Sequence, residues 1–208
     1  NEFLVVARRV NDNMAVAQRV SAQGQPVGDI VDIGRSNGPT FFDPAARARV
    51  VAVAYNATDN RFIVGLGEPM TAQILLPDLS LDYLVENIGV GTNPALAWSS
   101  VQNVFLMAWE DRQIRSTGSE NLSARLISND GVLLDEILLL RDQEFAEESP
   151  RIAYNPDDDQ FLVVWDERIG FKEGIIPQTL TDTIAQLVSA DGQRIGDPIP
   201  IEAGTAYT

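Results

Sequence analysis

The chain has 208 residues, with 15 Lys and Arg against 30 Asp and Glu, no His and no Cys, for a net charge of −15. A hydrophobic content of 45% is enough for a sizeable core, and no apolar run approaches the ~20 residues that a membrane helix needs. Without Cys there are no disulfides or thiol chemistry, without His the usual general base and the Ser-His-Asp triad are gone, and the acidic balance disfavours nucleic acid and anionic membranes as partners.

Taken in order, the chain reads as short β-branched and aromatic runs separated by turn residues, a pattern of strands rather than helices. It opens on NEFLVVARR, followed by Ala17-Gln18, a turn at Gly24 and the apolar residues Ile30, Val31 and Ile33. Three longer copies of this unit follow, headed by Tyr55, Trp98 and Tyr154 in VAYNATDNRFIVGLGE, LAWSSVQNVFLMAWED and IAYNPDDDQFLVVWDE. Each continues into a third run marked by Ala72-Gln73, Ala124-Arg125 or Ala185-Gln186, and closes on Tyr83 to Ile88, Glu136 to Leu140 or Pro198 to Ile201. The last copy is the clearest: Asn155-Pro156 and Asp157 to Asp159 make one turn, and Asp191-Gly192 is a strong hairpin signal. Pro198 and Pro200 cannot donate to a ladder and mark an edge strand.

Four strands in meander order, repeated, are the blades of a β-propeller. The expected fold is all-β, a single four-bladed antiparallel propeller domain over 1–208 with ~52 residues per blade, near the length of other propeller repeats. Blade one takes 1–34, blade two 50–90, blade three 93–141 and blade four 149–202. Blade one has a second strand, Phe3, Leu4, Val5 and Val6 to Ala7, with no first strand before it. The segment Gly204-Thr205-Ala206-Tyr207-Thr208 matches RIAYN at its Ala and Tyr, so 204–208 is expected beside that strand, the two chain ends sharing one blade. The strand can come from the same chain or from a neighbour, because an interior edge left unpaired would strand its N–H and C=O groups.

The blade pattern, roughly P-x-x-A-Y-N, F-L-V-V-W-x-[DE] and A-Q-x-V-S-x-x-G, resembles the repeat propellers of secreted and surface proteins of bacteria. The resemblance covers the whole chain and implies an extracellular or cell-surface location; its motifs describe packing and turns and imply no activity. Blade two departs from it, with Gly65-Leu66-Gly67 in place of the Val-Trp core.

Chemistry-bearing residues are few. Glu110, Asp111, Asp166 and Glu167 follow equivalent strands, where they serve as strand-end charges in solvent, as cation ligands or as a glycosidase-like pair of acids. No cofactor is expected, with calcium the cation that these carboxylates would take. Asp157 to Asp159 lack the spacing of a calcium loop and read as a turn. Trp109 and Trp165 end apolar runs and suit core packing better than sugar stacking. Between the second and third runs of blade four lies the insertion Ile169 to Asp182, whose Phe171, Ile175, Ile176 and Leu180 are unusually apolar for a loop and suit an interface.

These features favour a non-catalytic extracellular structural protein that self-associates into an oligomer or filament through exchange of its terminal strand. A monomeric propeller that binds a glycan, peptide or cation through its loop face is the alternative. A carboxylate-based glycan hydrolase or lyase is the third reading, weakened by the narrow, filled channel that four blades leave.

Overall fold

A computed structural model of the chain describes residues 2–9, 11–35, 51–111, 121–141, 147–172 and 178–206. They form four antiparallel sheets in chain order and no long apolar helix of the kind that crosses a membrane. Sheet one contains β1 (Glu2–Arg9), β2 (Met14–Ser21) and β3 (Pro26–Arg35). Sheet two contains β4 (Ala52–Asn56), β5 (Arg61–Leu66), β6 (Met70–Leu75) and β7 (Leu81–Gly89). Sheet three contains β8 (Gly91–Ser99), β9 (Val104–Asp111), β10 (Asn121–Ser128) and β11 (Leu138–Arg141). Sheet four contains β12 (Glu147–Asn155), β13 (Gln160–Lys172), β14 (Gln178–Ser189) and β15 (Arg194–Ala206).

Because side chains alternate across a strand, an apolar run such as F-L-V-V-W presents hydrophobes on both faces of its sheet. Both faces must then be covered, and the sheets stack to do so. Sheet one meets sheet two through Ala15, Ala17 and Ile33 against Val64, Leu66 and Leu75. The other face of sheet two carries Ile63, Ala72 and Ile74 against Phe105, Met107 and Trp109 of sheet three. The far face of sheet three carries Leu106, Ala108 and Leu122 against Phe161, Val163 and Trp165 of sheet four. Strand β9, covered from both sides, is buried at all eight positions. The departure in blade two has a packing cause: a Cβ on Gly65 would lie 3.1 Å from Pro94 Cβ and 3.2 Å from Leu96 Cδ1, so the close approach of sheet three requires a glycine there.

The Ala-Gln signature of the third strands also acquires a cause. The ladder between third and fourth strands is interrupted at Ala17/Arg19, Gln73/Leu75 and Ala185/Leu187, at the Gln in sheets one and four and just after it in sheet two. At a bulge the extra residues lose their ladder partner. The Gln amide supplies it: Gln18 Nε2 donates to Val27 O at 3.0 Å, Gln73 Nε2 to Tyr83 O at 2.9 Å and Gln186 Nε2 to Ile195 O at 3.0 Å. In sheet three Arg125 does the same, its Nε donating to Asp135 O at 2.7 Å.

Three expectations are corrected. Thr205 and Ala206 pair with Thr181 and Leu180 of β14, not with β1, and Tyr207 and Thr208 lie outside the described residues. The reason is the length of β14, which runs past the ordinary blade edge and offers the continuing chain a ladder. Sheet one accordingly has three strands among the described residues, and Phe3, Leu4, Val5 and Val6 of β1 pair only with Val20, Arg19, Gln18 and Ala17 of β2. Phe3 is 65% exposed, whereas its equivalents Phe105 and Phe161 are fully buried. Phe171 and Leu180 stand on β13 and β14, in a hairpin paired as Phe171↔Thr179 and Gly170↔Leu180, and not in a loop; Ile175 and Ile176 lie outside the described residues.

Truncating Phe161 to Ala should therefore cost ~3–5 kcal/mol, the range for emptying a buried aromatic site. Phe3→Ala should cost within ~0.5 kcal/mol in the isolated chain, as for an exposed residue. Denaturant unfolding of the two variants measures both, and equal losses would contradict the open face of sheet one.

Candidate functional site

The repeated turn between first and second strands builds a polar ladder along one end of the stack. In sheet two Asn56 Oδ1 accepts from Thr58 N and Asp59 N at 2.9 and 3.0 Å, and in sheet four Asn155 Oδ1 accepts from Asp157 N at 3.1 Å. The residue that ends each turn, Asn60, Asn103 or Asp159, has a positive φ of 50–57°, which Asn and Asp tolerate best among residues with a side chain. It accepts from the aromatic head of its own blade: Tyr55 OH to Asn60 Oδ1 at 2.8 Å, Trp98 Nε1 to Asn103 Oδ1 at 3.1 Å and Tyr154 OH to Asp159 Oδ1 at 2.7 Å. The spacing of five between aromatic and Asn or Asp was the sequence signal for this contact.

In sheets three and four the same residue also ties the sheet to the one before it. Asn103 Nδ2 donates to Asp59 Oδ2 at 2.7 Å, and Asn103 Oδ1 accepts from Asn56 Nδ2 at 2.8 Å. Asp159 Oδ1 accepts from Ser99 Oγ at 2.9 Å, and its Oδ2 from Gln102 Nε2 at 3.3 Å. Asp59 Oδ2 gathers three amides in all, from Asn103, Asn129 and Asn56, and they hold its pKa below the ordinary aspartate value. At Asp159 burial pushes the carboxyl up, but the bonds from Tyr154, Ser99 and Gln102 outweigh it and the net shift is downward.

The strand-end carboxylates are not the solvent-facing charges that their sequence position suggests. Glu110 and Asp111 are 4% and 1% exposed, and Glu167 is 5% exposed. Each is tied separately. Glu110 accepts from Thr92 Oγ1 at 3.1 Å, Asn93 Nδ2 at 2.7 Å and Ser149 N at 2.7 Å. Asp111 Oδ2 accepts from Ser123 Oγ at 2.7 Å, and Asp166 Oδ1 from Thr183 Oγ1 at 3.1 Å. Glu167 forms a bidentate pair with Arg141 across sheets three and four, with Nε–Oε2 at 2.8 Å and Nη2–Oε1 at 3.1 Å. The junction is tight: a Cβ on Gly91 would fall 2.0 Å from the Glu110 carbonyl oxygen. Among the described residues no three acidic side chains group as metal ligands would; Glu110 and Glu167 fasten sheet three to sheet four, while Asp111 and Asp166 are bonded within their own sheets.

A concave feature among the described residues lies elsewhere, at the open edge of sheet one. A cavity of about 730 Å³ is lined by Phe3 and Leu4 of β1, by Val53, Tyr55 and Phe62 of sheet two, and by Asn60 at the turn. In the complete sheets this is the place of the first strand, since β8 packs on β4 and β12 packs on β8.

With the fold in view, the class is that of the β-propellers, on structural likeness alone. The chain is similar to a GH43 glycoside hydrolase with an engineered active site, at a TM-score of 0.51 and 9% identity, covering 97% of this chain and 39% of that one. It is also similar to a putative TolB from Agrobacterium tumefaciens, at a TM-score of 0.44 and 10% identity, over 95% of this chain and 65% of the other. A chain of a nidogen/laminin complex matches at a TM-score of 0.46 and 10% identity, over 99% of this chain and 80% of the other. The chain thus spans less than two thirds of the first two structures. No family model and no curated protein matches it.

Two outcomes are expected here. A carboxylate whose folded pKa is depressed stabilises the fold above the unfolded value of ~3.9 and loses that contribution as pH falls through the folded value. Asp59→Asn should therefore lower the melting temperature at neutral pH and flatten the acid limb of its pH dependence below about pH 4; parallel curves for variant and wild type would show that the amide cluster does not stabilise the carboxylate. Thermal melts in calcium and in chelator should coincide, because each strand-end carboxylate already has protein partners; a difference of several degrees would reveal a specific site.

Proposed function

We propose that the protein is a non-catalytic, extracellular or cell-surface propeller that self-associates by adding a strand from one copy to the open edge of sheet one in the next. The observation that carries this reading is the three-stranded sheet one with the apolar cavity beside β1, set against three sheets of four strands. Antiparallel strand addition would give the β1 edge its missing ladder and fill the cavity with side chains. The location is proposed from the resemblance of the blade pattern to the repeat propellers of bacterial surface proteins.

The tail is suited to the exchange. Its two ladder pairs, Thr181↔Thr205 and Leu180↔Ala206, are set off from the rest of β15 by a register shift at Thr181/Thr183, so releasing them disturbs no other pair. Gly204-Thr205 also repeats Gly91-Thr92, the residues with which the chain enters β8 after leaving β7. Because the donated strand and the receiving edge are different surfaces, the contact is head to tail and propagates unless the rotation closes. Sedimentation velocity over a wide concentration range tests this. The intact chain should form species that grow with concentration, and deleting Gly204 to Thr208 should leave a monomer. An intact chain that stays monomeric, or a truncated one that assembles equally well, would refute strand exchange.

A further inference from the structure

The structure carries a second element of the same contact, and this inference rests on the self-association just proposed. We infer that the outer face of sheet one seats on the outer face of sheet four of a second copy, with Arg9 of one copy paired to Glu202 of the other.

The apolar half of the argument is the register of the stack. Each sheet turns the alternate residues that begin with its Phe towards the preceding sheet: Phe62 and Val64 face sheet one, Phe105 and Met107 face sheet two, and Phe161 and Val163 face sheet three. The equivalents in sheet one are Phe3 and Val5, which are 65% and 50% exposed. Sheet four lacks a following sheet in the same way. Leu140 of sheet three is 1% exposed beneath sheet four, while its equivalent Ile201 is 61% exposed. Neither face is covered by the other within the chain, since no apolar cluster among the described residues joins sheets one and four.

The charges identify the occupant. Trp109 pairs with Ser123, and Trp165 with Ile184, so Leu122 and Thr183 are equivalent; their outer-strand partners are Arg141 and Glu202. Glu202 thus holds in sheet four the place that Arg141 holds in sheet three. On the receiving side F-L-V-V aligns Phe3 with Phe161, which puts Arg9 where Glu167 stands. The buried pair Arg141–Glu167 fastens sheet three to sheet four, and both of its members are replaced by the opposite sign at the two free ends. A second copy therefore matches the open face in register and in charge, although each copy carries −15 overall. Arg9 lies at the surface with Asp12 and Asp32 as its partners, within reach of solvent and of an incoming face.

Charge reversal in the full chain separates this contact from the strand exchange. Arg9→Glu and Glu202→Arg should each weaken association by about tenfold or more, as like charges in a contact do. The double variant should recover it, and a mixture of the two single variants should co-assemble. Unchanged melting temperatures at low concentration would establish that the variants fold. Single variants that assemble as the wild type does, while deletion of Gly204 to Thr208 abolishes assembly, would overturn this inference and leave the strand-exchange reading intact. Single variants that lose thermal stability as monomers, with recovery in the double variant, would place the pair within one chain and overturn it as well.

Discussion

A sheet that is apolar on both faces cannot stand alone in water, and this requirement shapes the whole molecule. The second strands of the blades alternate hydrophobe with hydrophobe, so each sheet needs a neighbour on either side. Sheets two and three obtain both neighbours within the chain. The result is graded: β9 in sheet three is buried throughout, whereas β1 alternates between exposed and half-buried positions.

Polar groups at the rims are arranged to permit that stacking. Bulges in the outer strands free backbone carbonyls, and one Gln or Arg per blade occupies them. The turn residues with positive φ satisfy their own Tyr or Trp, and Asn103 and Asp159 also reach back to the preceding sheet. Glu110 and Glu167 complete the fastening from strand ends. Chemistry that resembles a binding site in the sequence is thus consumed in holding sheets together.

Much of this was legible before the structure. The Phe, Val and Trp alternation located the second strands, Asn155 to Asp159 was read as a turn, and Ala-Gln marked the third strands. What the sequence did not reveal depends on distant partners. Glu110 and Asp111 look like solvated charges until Thr92, Asn93, Ser123 and Ser149 are brought against them by the fold. The strand character of Phe171 and Leu180 follows from a hairpin longer than its blade, which local composition does not distinguish from an apolar loop. The pairing of Thr205 and Ala206 reflects a competition between two edges for one segment, and β14 is adjacent in the chain while β1 is not. The Arg9 and Glu202 positions become equivalent to a known pair only through ladder register.

The stack also has a thermodynamic consequence. Apolar clusters join sheet one to two, two to three and three to four, so cohesion is passed between nearest neighbours as in a linear array. In such an array the cost of opening a unit is set by how many interfaces it forfeits. Sheets one and four each forfeit a single interface and sheets two and three each forfeit two, so local unfolding begins at the ends of the stack and the middle sheets are the last to open. The sheets offered to a partner are also the ones that the chain holds most loosely.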